Sequence, residues 1–295
     1  MGEFWHTTGD GVRLWGRFGG PQAGAVTVVL THGYAQAHGC WHAQAAALAD
    51  AGLRVLEWDL RGHGRSANPD LRGCTIDQVA DDLAELVVLH TAGPVVLVGH
   101  SMGGMALMAL AERHPELVQE RVGGVAFVAT SANGDGLGFL GLGLRGAHLV
   151  QATGNVLFGR MARHPNSWRL VTALGPALTA GLWVSCCGWR TSRADVRLTG
   201  EMAGDAGFAT MAAFLPSLST HHREPALAGY RGLPSLVLNG SLDLVVPPKD
   251  SEAIARELPG CRRVVVPRAG HNVMLAAPQR VSDELLRLAD QCRRY

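Results

Sequence analysis

The feature that most limits what this chain can fold into is a succession of short, almost wholly apolar, β-rich runs separated by longer segments of helical spacing. The runs are "AVTVVLTHG" (25–33), "LRVLEWD" (53–59), "PVVLVGH" (94–100), "GGVAFVAT" (123–130), "PSLVLNG" (234–240) and "RRVVVPRAGH" (262–271). A strand with one face in water alternates apolar and polar residues. Most of these do not, so they read as strands of a parallel sheet covered on both faces. Between them, "WHAQAAALADAG", "TIDQVADDLAELVVLH", "SMGGMALMALAERHP" and "PKDSEAIAREL" carry helical spacing or helix-forming composition, with Asp, Glu and Gly near their ends. Near the start, "FWHTTGDGVRLWGRF" reads as two strands around an Asp10-Gly11 turn. The alternation predicts an α/β fold, a mostly parallel central sheet with helices on both faces.

The alternation lapses from about Ser131 to Tyr230, where Gly-rich apolar turns and helical stretches rich in Leu, Ala, Trp and Met replace strands. This predicts a core of residues 1–130 and 231–295 interrupted by a helical cap, 131–230. Within the cap, residues 136–194 hold six arginines (Arg145, Arg160, Arg163, Arg169, Arg190, Arg193) and no Asp or Glu. Residues 170–189 are uncharged and long enough to span a bilayer, but Pro176 and three glycines favour a buried or cap helix pair.

With 47% hydrophobic and 17% charged residues and a formal charge of +1, the 295-residue chain lacks a membrane-class composition. Nor does it carry the basic field that would argue for nucleic acid. The N-terminus has no basic run followed by an apolar segment, so a cytoplasmic location is expected. The six cysteines are expected as buried free thiols, and none stands in a Cys-x-x-Cys or Cys/His metal spacing. With no phosphate-binding Gly loop or dinucleotide fingerprint either, no cofactor is expected.

"GHSMGG" (99–104) fits G-x-S-x-G and stands between the apolar run 94–98 and the helical pattern 102–114. So sharp a strand-to-helix turn holds the serine in a strained conformation, and side chains two residues before and after it would collide. Glycine at 99 and 103 removes them, leaving Ser101 exposed at the carboxyl edge of the sheet. A serine needs a base, and the base needs a group to orient it. His271, in a Gly-containing loop after the last run, is the best placed of thirteen histidines, and Asp243 likewise follows a strand end.

In the order Ser101, Asp243, His271 the chain resembles the α/β-hydrolase family, specifically its capped Ser-His-Asp branch of esterases, monoglyceride-type lipases, lactonases and carbon–carbon hydrolases. "THGYAQ" resembles the family's His-Gly-x-x loop, which implies an oxyanion hole made by the backbone N–H groups of Tyr34 and Met102, with His32 stabilising the turn. "DLRGHGRS" (59–66) resembles a loop that is structural in most members, which implies no catalytic role for Asp59, Arg61 or His63. Some members of the family place the acid one strand earlier, which makes Asp135 the alternative to Asp243. Ser101 stands where dehalogenases and epoxide hydrolases of this fold use aspartate, so those reactions are not expected. The resemblance implies a serine hydrolase that cleaves a carboxylic ester, whether an apolar acyl ester, a lactone or a monoacylglycerol-like lipid, through an acyl-enzyme on Ser101. A C–C bond hydrolase or an acyltransferase with the same triad, or a non-enzymatic small-molecule receptor, are the alternatives. Phe139, Leu140, Leu142, Phe158, Trp168, Leu182 and Trp183 are candidates to line an acyl pocket or to form plain cap core. The arginine-rich stretch admits three readings: a solvated face, peripheral contact with an anionic membrane, or recognition of an acidic group on the substrate.

Overall fold

The computed structural model describes residues 2–22, 26–134, 186, 187 and 191–292. The strands are β1 (Gly2–Thr7), β2 (Arg13–Gly19), β3 (Thr27–Thr31), β4 (Arg54–Trp58), β5 (Val95–His100), β6 (Val122–Val128), β7 (Ser235–Gly240) and β8 (Arg262–Val266). They form one sheet in the order β1-β2-β4-β3-β5-β6-β7-β8. The hairpin β1–β2 turns at Asp10-Gly11, as its sequence indicated, and joins β4 antiparallel; every pair from β4 to β8 is parallel. All residues of β3, β5 and β7 are buried, the expected result for apolar runs covered on both faces. The run 262–271 is strand only as far as Val266, because Pro267 has no N–H for the ladder and Arg268 takes a positive φ of 61°.

The helices are α1 (His42–Asp50), α2 (Ile76–His90), α3 (Met102–Arg113), α4 (Pro115–Arg121), α5 (Arg193–Asp205), α6 (Phe208–Ser219), α7 (Pro248–Glu257), α8 (Val273–Ala276) and α9 (Pro278–Cys292). Alternate strand residues feed two cores, one on each face of the sheet. Val29, Leu97, Phe127 and Val237 pack with Leu83 and Leu86 of α2 and Met105 and Leu107 of α3. Val28, Val96, Val98 and Leu236 pack with Leu48 of α1 and Leu285 and Leu288 of α9. From β3 the chain goes one way to β4 and then back across to β5. The carboxyl ends of β3 and β5 therefore flank the point where strand order reverses, the place where open α/β sheets hold their ligands. Between β6 and β7 the described residues form α5, α6 and a short 3-10 helix, Glu224–Tyr230, with one isolated antiparallel bridge between Asn133 and His222.

A buried arginine ties the hairpin to the rest. Arg61 is 1% exposed and donates to both carboxylate oxygens of Asp82 on α2, at 2.7 and 2.5 Å. It also donates to Asp10 at the hairpin turn, at 2.8 Å, and that bond holds the Asp10 carboxyl down to about 2. Removing the guanidinium leaves Asp82 buried without its counter-charge. Arg61→Met is expected to lower unfolding stability by about 3–5 kcal/mol, read by urea denaturation. A loss under about 1 kcal/mol would contradict this reading of the cluster.

Candidate active site

Ser101 caps α3 with φ 51° and ψ −118°, a region L-residues avoid, so the turn is strained. The neighbouring backbone explains why the turn needs glycine on both sides. A Cβ on Gly99 would lie 2.6 Å from the Gly104 nitrogen, and one on Gly103 would lie 2.5 Å from the Thr31 carbonyl oxygen. The turn is pinned at both ends: the Ser101 N–H donates to the Val128 carbonyl at 3.0 Å, while its own carbonyl accepts from Thr130 Oγ1 at 2.7 Å. Met102 is the first residue of α3, so its N–H has no intrahelical acceptor and points out of the helix end beside Ser101.

Asp243 and His271 come from the loops after β7 and β8, on the same sheet edge. Val128 stands level with His100 and Leu238, and Gly240 with Val266, so the strands deliver their following loops side by side. His271 Nδ1 is 2.9 Å from Asp243 Oδ2, with side-chain exposures of 9% and 0%. The other Asp243 oxygen accepts the Val245 and Val246 N–H groups at 2.9 and 2.8 Å. A carboxylate held on both oxygens orients the imidazole with Nδ1–H toward it, which leaves Nε2 as the basic nitrogen. The histidine that precedes the serine reaches the loop after β8: His100 Nε2 is 3.1 Å from the His271 carbonyl oxygen, with ring centroids 4.7 Å apart.

The loop carrying Tyr34 lies alongside the serine turn because Thr31 of β3 pairs with Gly99 of β5. Its shape is set by two buried histidines. His32 Nδ1 donates to the Gly33 carbonyl at 2.8 Å, and its Nε2 accepts the Leu60 N–H at 2.9 Å. His63 Nδ1 donates to the Arg61 carbonyl at 3.0 Å, and its Nε2 accepts the N–H of Ala35, a residue of positive φ, at 3.2 Å. These pairings require neutral rings, and burial pushes the His32 pKa down to about 3 and that of His63 down as well. The Tyr34 hydroxyl donates to the Met211 carbonyl of α6 at 2.8 Å. Pro216 inside α6 lacks the N–H that would occupy the Ala212 carbonyl, so the helix ladder is interrupted next to the carbonyl Tyr34 takes.

Asp59 accepts from the His38 N–H, the His38 ring and the Arg65 N–H, at 2.7, 2.8 and 2.9 Å, so it orders the loop after β4. Phe139, Leu140, Leu142, Phe158, Trp168, Leu182, Trp183, Asp135 and the arginines from Arg145 to Arg190 lie outside the described residues. Of the six cysteines expected to be buried, Cys40, Cys74, Cys187 and Cys292 are, whereas Cys186 and Cys261 are half-buried. Among the described residues no helix is long and apolar enough to cross a membrane, and no group of three or more His, Cys, Asp or Glu side chains is arranged to hold a metal. The sequence reading missed the linking roles of His63, His100, Gln36 and Asn272. For His63 the signal was present, since it sits in the "DLRGHGRS" loop beside Arg61.

Buried neutral histidines make stability depend on acid. The unfolded chain takes up protons below about pH 6.5 that His32, His63 and His100, all lowered by burial, refuse while folded. Because all three folded-state values lie below the unfolded one, their contribution is complete above about pH 6.5 and is progressively lost as pH falls below it. Denaturant unfolding at pH 7.5 and 5 should show the loss; equal stabilities would contradict it.

The chain belongs to the alpha/beta hydrolase family: the family described as the alpha/beta hydrolase fold matches it over residues 26–278. The non-heme chloroperoxidase CPO-A1 of Kitasatospora aureofaciens is 40% identical over 112 residues, 37% of this chain and 38% of that protein. The monoacylglycerol lipase of Mycolicibacterium smegmatis is 38% identical over 92 residues, 30% of this chain and 33% of that protein. The chain therefore spans only about a third of the length of these two relatives. Among solved structures, a thermophilic esterase from Thermogutta terrifontis is 26% identical and superposes with a TM-score of 0.79, covering 99% of this chain and 100% of that one.

Proposed function

We propose that the protein is a serine hydrolase that cleaves carboxylic esters through an acyl-enzyme on Ser101. One observation carries the reading: a strained serine stands at the carboxyl end of β5, on the same sheet edge as a histidine whose Nδ1 is held by a buried aspartate that also accepts two backbone N–H groups. Kinship to an esterase and to a monoacylglycerol lipase supports it. The substrate class is an apolar acyl ester, a lactone or a monoacylglycerol-like lipid.

Ser101 Oγ attacks the carbonyl carbon while His271 Nε2 takes its proton, and Asp243 stabilises the imidazolium that forms. The oxygen of the tetrahedral intermediate receives the N–H groups of Tyr34 and Met102, each worth about 3–4 kcal/mol to the transition state. His271 returns the proton to the departing alcohol, and the acyl group remains on Ser101. Water, deprotonated by the same nitrogen, then releases the acid and restores the serine.

Ser101→Ala and His271→Ala are each expected to lower kcat/KM for p-nitrophenyl esters by roughly 10⁴-fold or more without changing the unfolding midpoint appreciably. Fluorophosphonate labelling should disappear in Ser101→Ala. Hydrolysis near the wild-type rate in either variant would sink the assignment. A folded wild type that neither labels nor hydrolyses any chain length from acetate to palmitate would sink the enzymatic reading itself and favour a ligand-holding role.

A further inference from the structure

The side chain of Gln36 turns back from the end of the Tyr34 loop into the molecule, where the residue is 4% exposed. Its Oε1 accepts the Gly33 N–H at 3.1 Å and lies 2.9 Å from His100 Nδ1. Its Nε2 donates to Asn272 Oδ1 at 2.8 Å. One carboxamide thus meets the residue before Tyr34, the residue before Ser101 and the residue after His271. The fit is close, since a Cβ on Gly33 would lie 2.6 Å from His100 Nδ1, 3.0 Å from Ser101 Cβ and 3.1 Å from Gln36 Oε1. Asn272 is itself buried, and its N–H donates to the Cys186 carbonyl at 2.6 Å.

The polarity of the amide is fixed. Reversed, it would set its NH₂ group against the Gly33 N–H and its oxygen against Asn272 Oδ1, so the orientation with Oε1 toward Gly33 satisfies both ends. His100 cannot take over the tie. Held neutral by burial, it carries one N–H but faces two oxygens, Gln36 Oε1 and the His271 carbonyl, and donates to only one of them. Gln36 is therefore the group that binds the Tyr34 loop and the His271 loop to each other by hydrogen bonds donated in defined directions.

We propose that Gln36 is a positioning residue for ester hydrolysis, holding the Tyr34 amide and the His271 ring in register around Ser101. This rests on the acyl-enzyme reading given above. Gln36 touches none of the reacting atoms, so loosening it misplaces the groups that serve the tetrahedral intermediate more than those that admit the ester. The loss therefore falls on kcat and leaves KM.

Gln36→Met keeps the length of the side chain and removes both hydrogen bonds. Measured on p-nitrophenyl butyrate, kcat is expected to fall about 10- to 100-fold with KM within about two-fold, because small misplacements around a reacting centre cost that much. Asn272→Leu should lose a comparable factor, and the double variant should lose much less than the product of the two, since both cut one bond. Amide hydrogen exchange at Gly33 should quicken in Gln36→Met. If Gln36→Met does not fold, Gln36→Glu serves instead: it keeps the acceptor for Gly33, cannot donate to Asn272, and is expected to lower kcat by a smaller factor. A kcat within two-fold of wild type, an effect on KM alone, or losses that multiply would overturn the role of Gln36. A wild type without turnover would instead overturn the esterase reading, so the two failures are distinct.

Discussion

The site depends on one steric constraint, the turn at Ser101. β5 ends and α3 begins across a single residue, and the backbone around it is packed so closely that Cβ atoms at 99 and 103 would sit 2.5–2.7 Å from backbone atoms. That compression forces Ser101 to φ 51°, and it also sets the serine where the strand order reverses. The strain has to be held by the surroundings. Here the sheet holds it, through the bond from the Ser101 N–H to β6 and the buried apolar faces of α3. The cost of the conformation is distributed over the core, and the hydroxyl stands at its edge.

A second layer is built from polar groups buried beneath the site. His32, His63, His100, Gln36 and Asn272 are buried side chains that join loops the sheet merely brings near one another. Neutral imidazoles suit this work at His32 and His63 because each carries one donor and one acceptor, so the ring meets a carbonyl on one side and an N–H on the other. Burial keeps them neutral and thereby keeps the pairings correct. The same chemistry makes the assembly sensitive to acid, since protonating His32 or His63 puts a second N–H against the backbone N–H that its Nε2 accepts. The Tyr34 hydroxyl extends the connection to α6, so the loop that would stabilise an oxyanion is fixed on one side by the core and on the other by a helix of the segment between β6 and β7.

The strands were legible in the sequence because a parallel sheet covered on both faces demands continuous apolar runs, and β3, β5 and β7 obey that demand over their whole length. Gly99 and Gly103 were legible for the same kind of reason, as no other residue fits the turn. Asp243 and His271 were picked out by their place after strand ends, and the structure sets their side chains 2.9 Å apart. The bridging roles of Gln36, His100 and Asn272 were not legible, because they depend on which side-chain atoms meet across separations of up to 236 positions. Strand ends were only partly so: the run 262–271 looked like one element, but the missing N–H of Pro267 cuts it short.

The central claim is that Ser101 becomes covalently acylated. The most direct measurement is rapid acid quenching of the protein during turnover of p-nitrophenyl acetate, followed by peptide mapping by mass spectrometry. The account predicts an acetyl group on the peptide containing Ser101, localised to that serine and absent from Ser101→Ala. Turnover by the wild type with the acetyl group on another residue, or with no acyl intermediate when deacylation is slowed, would contradict it.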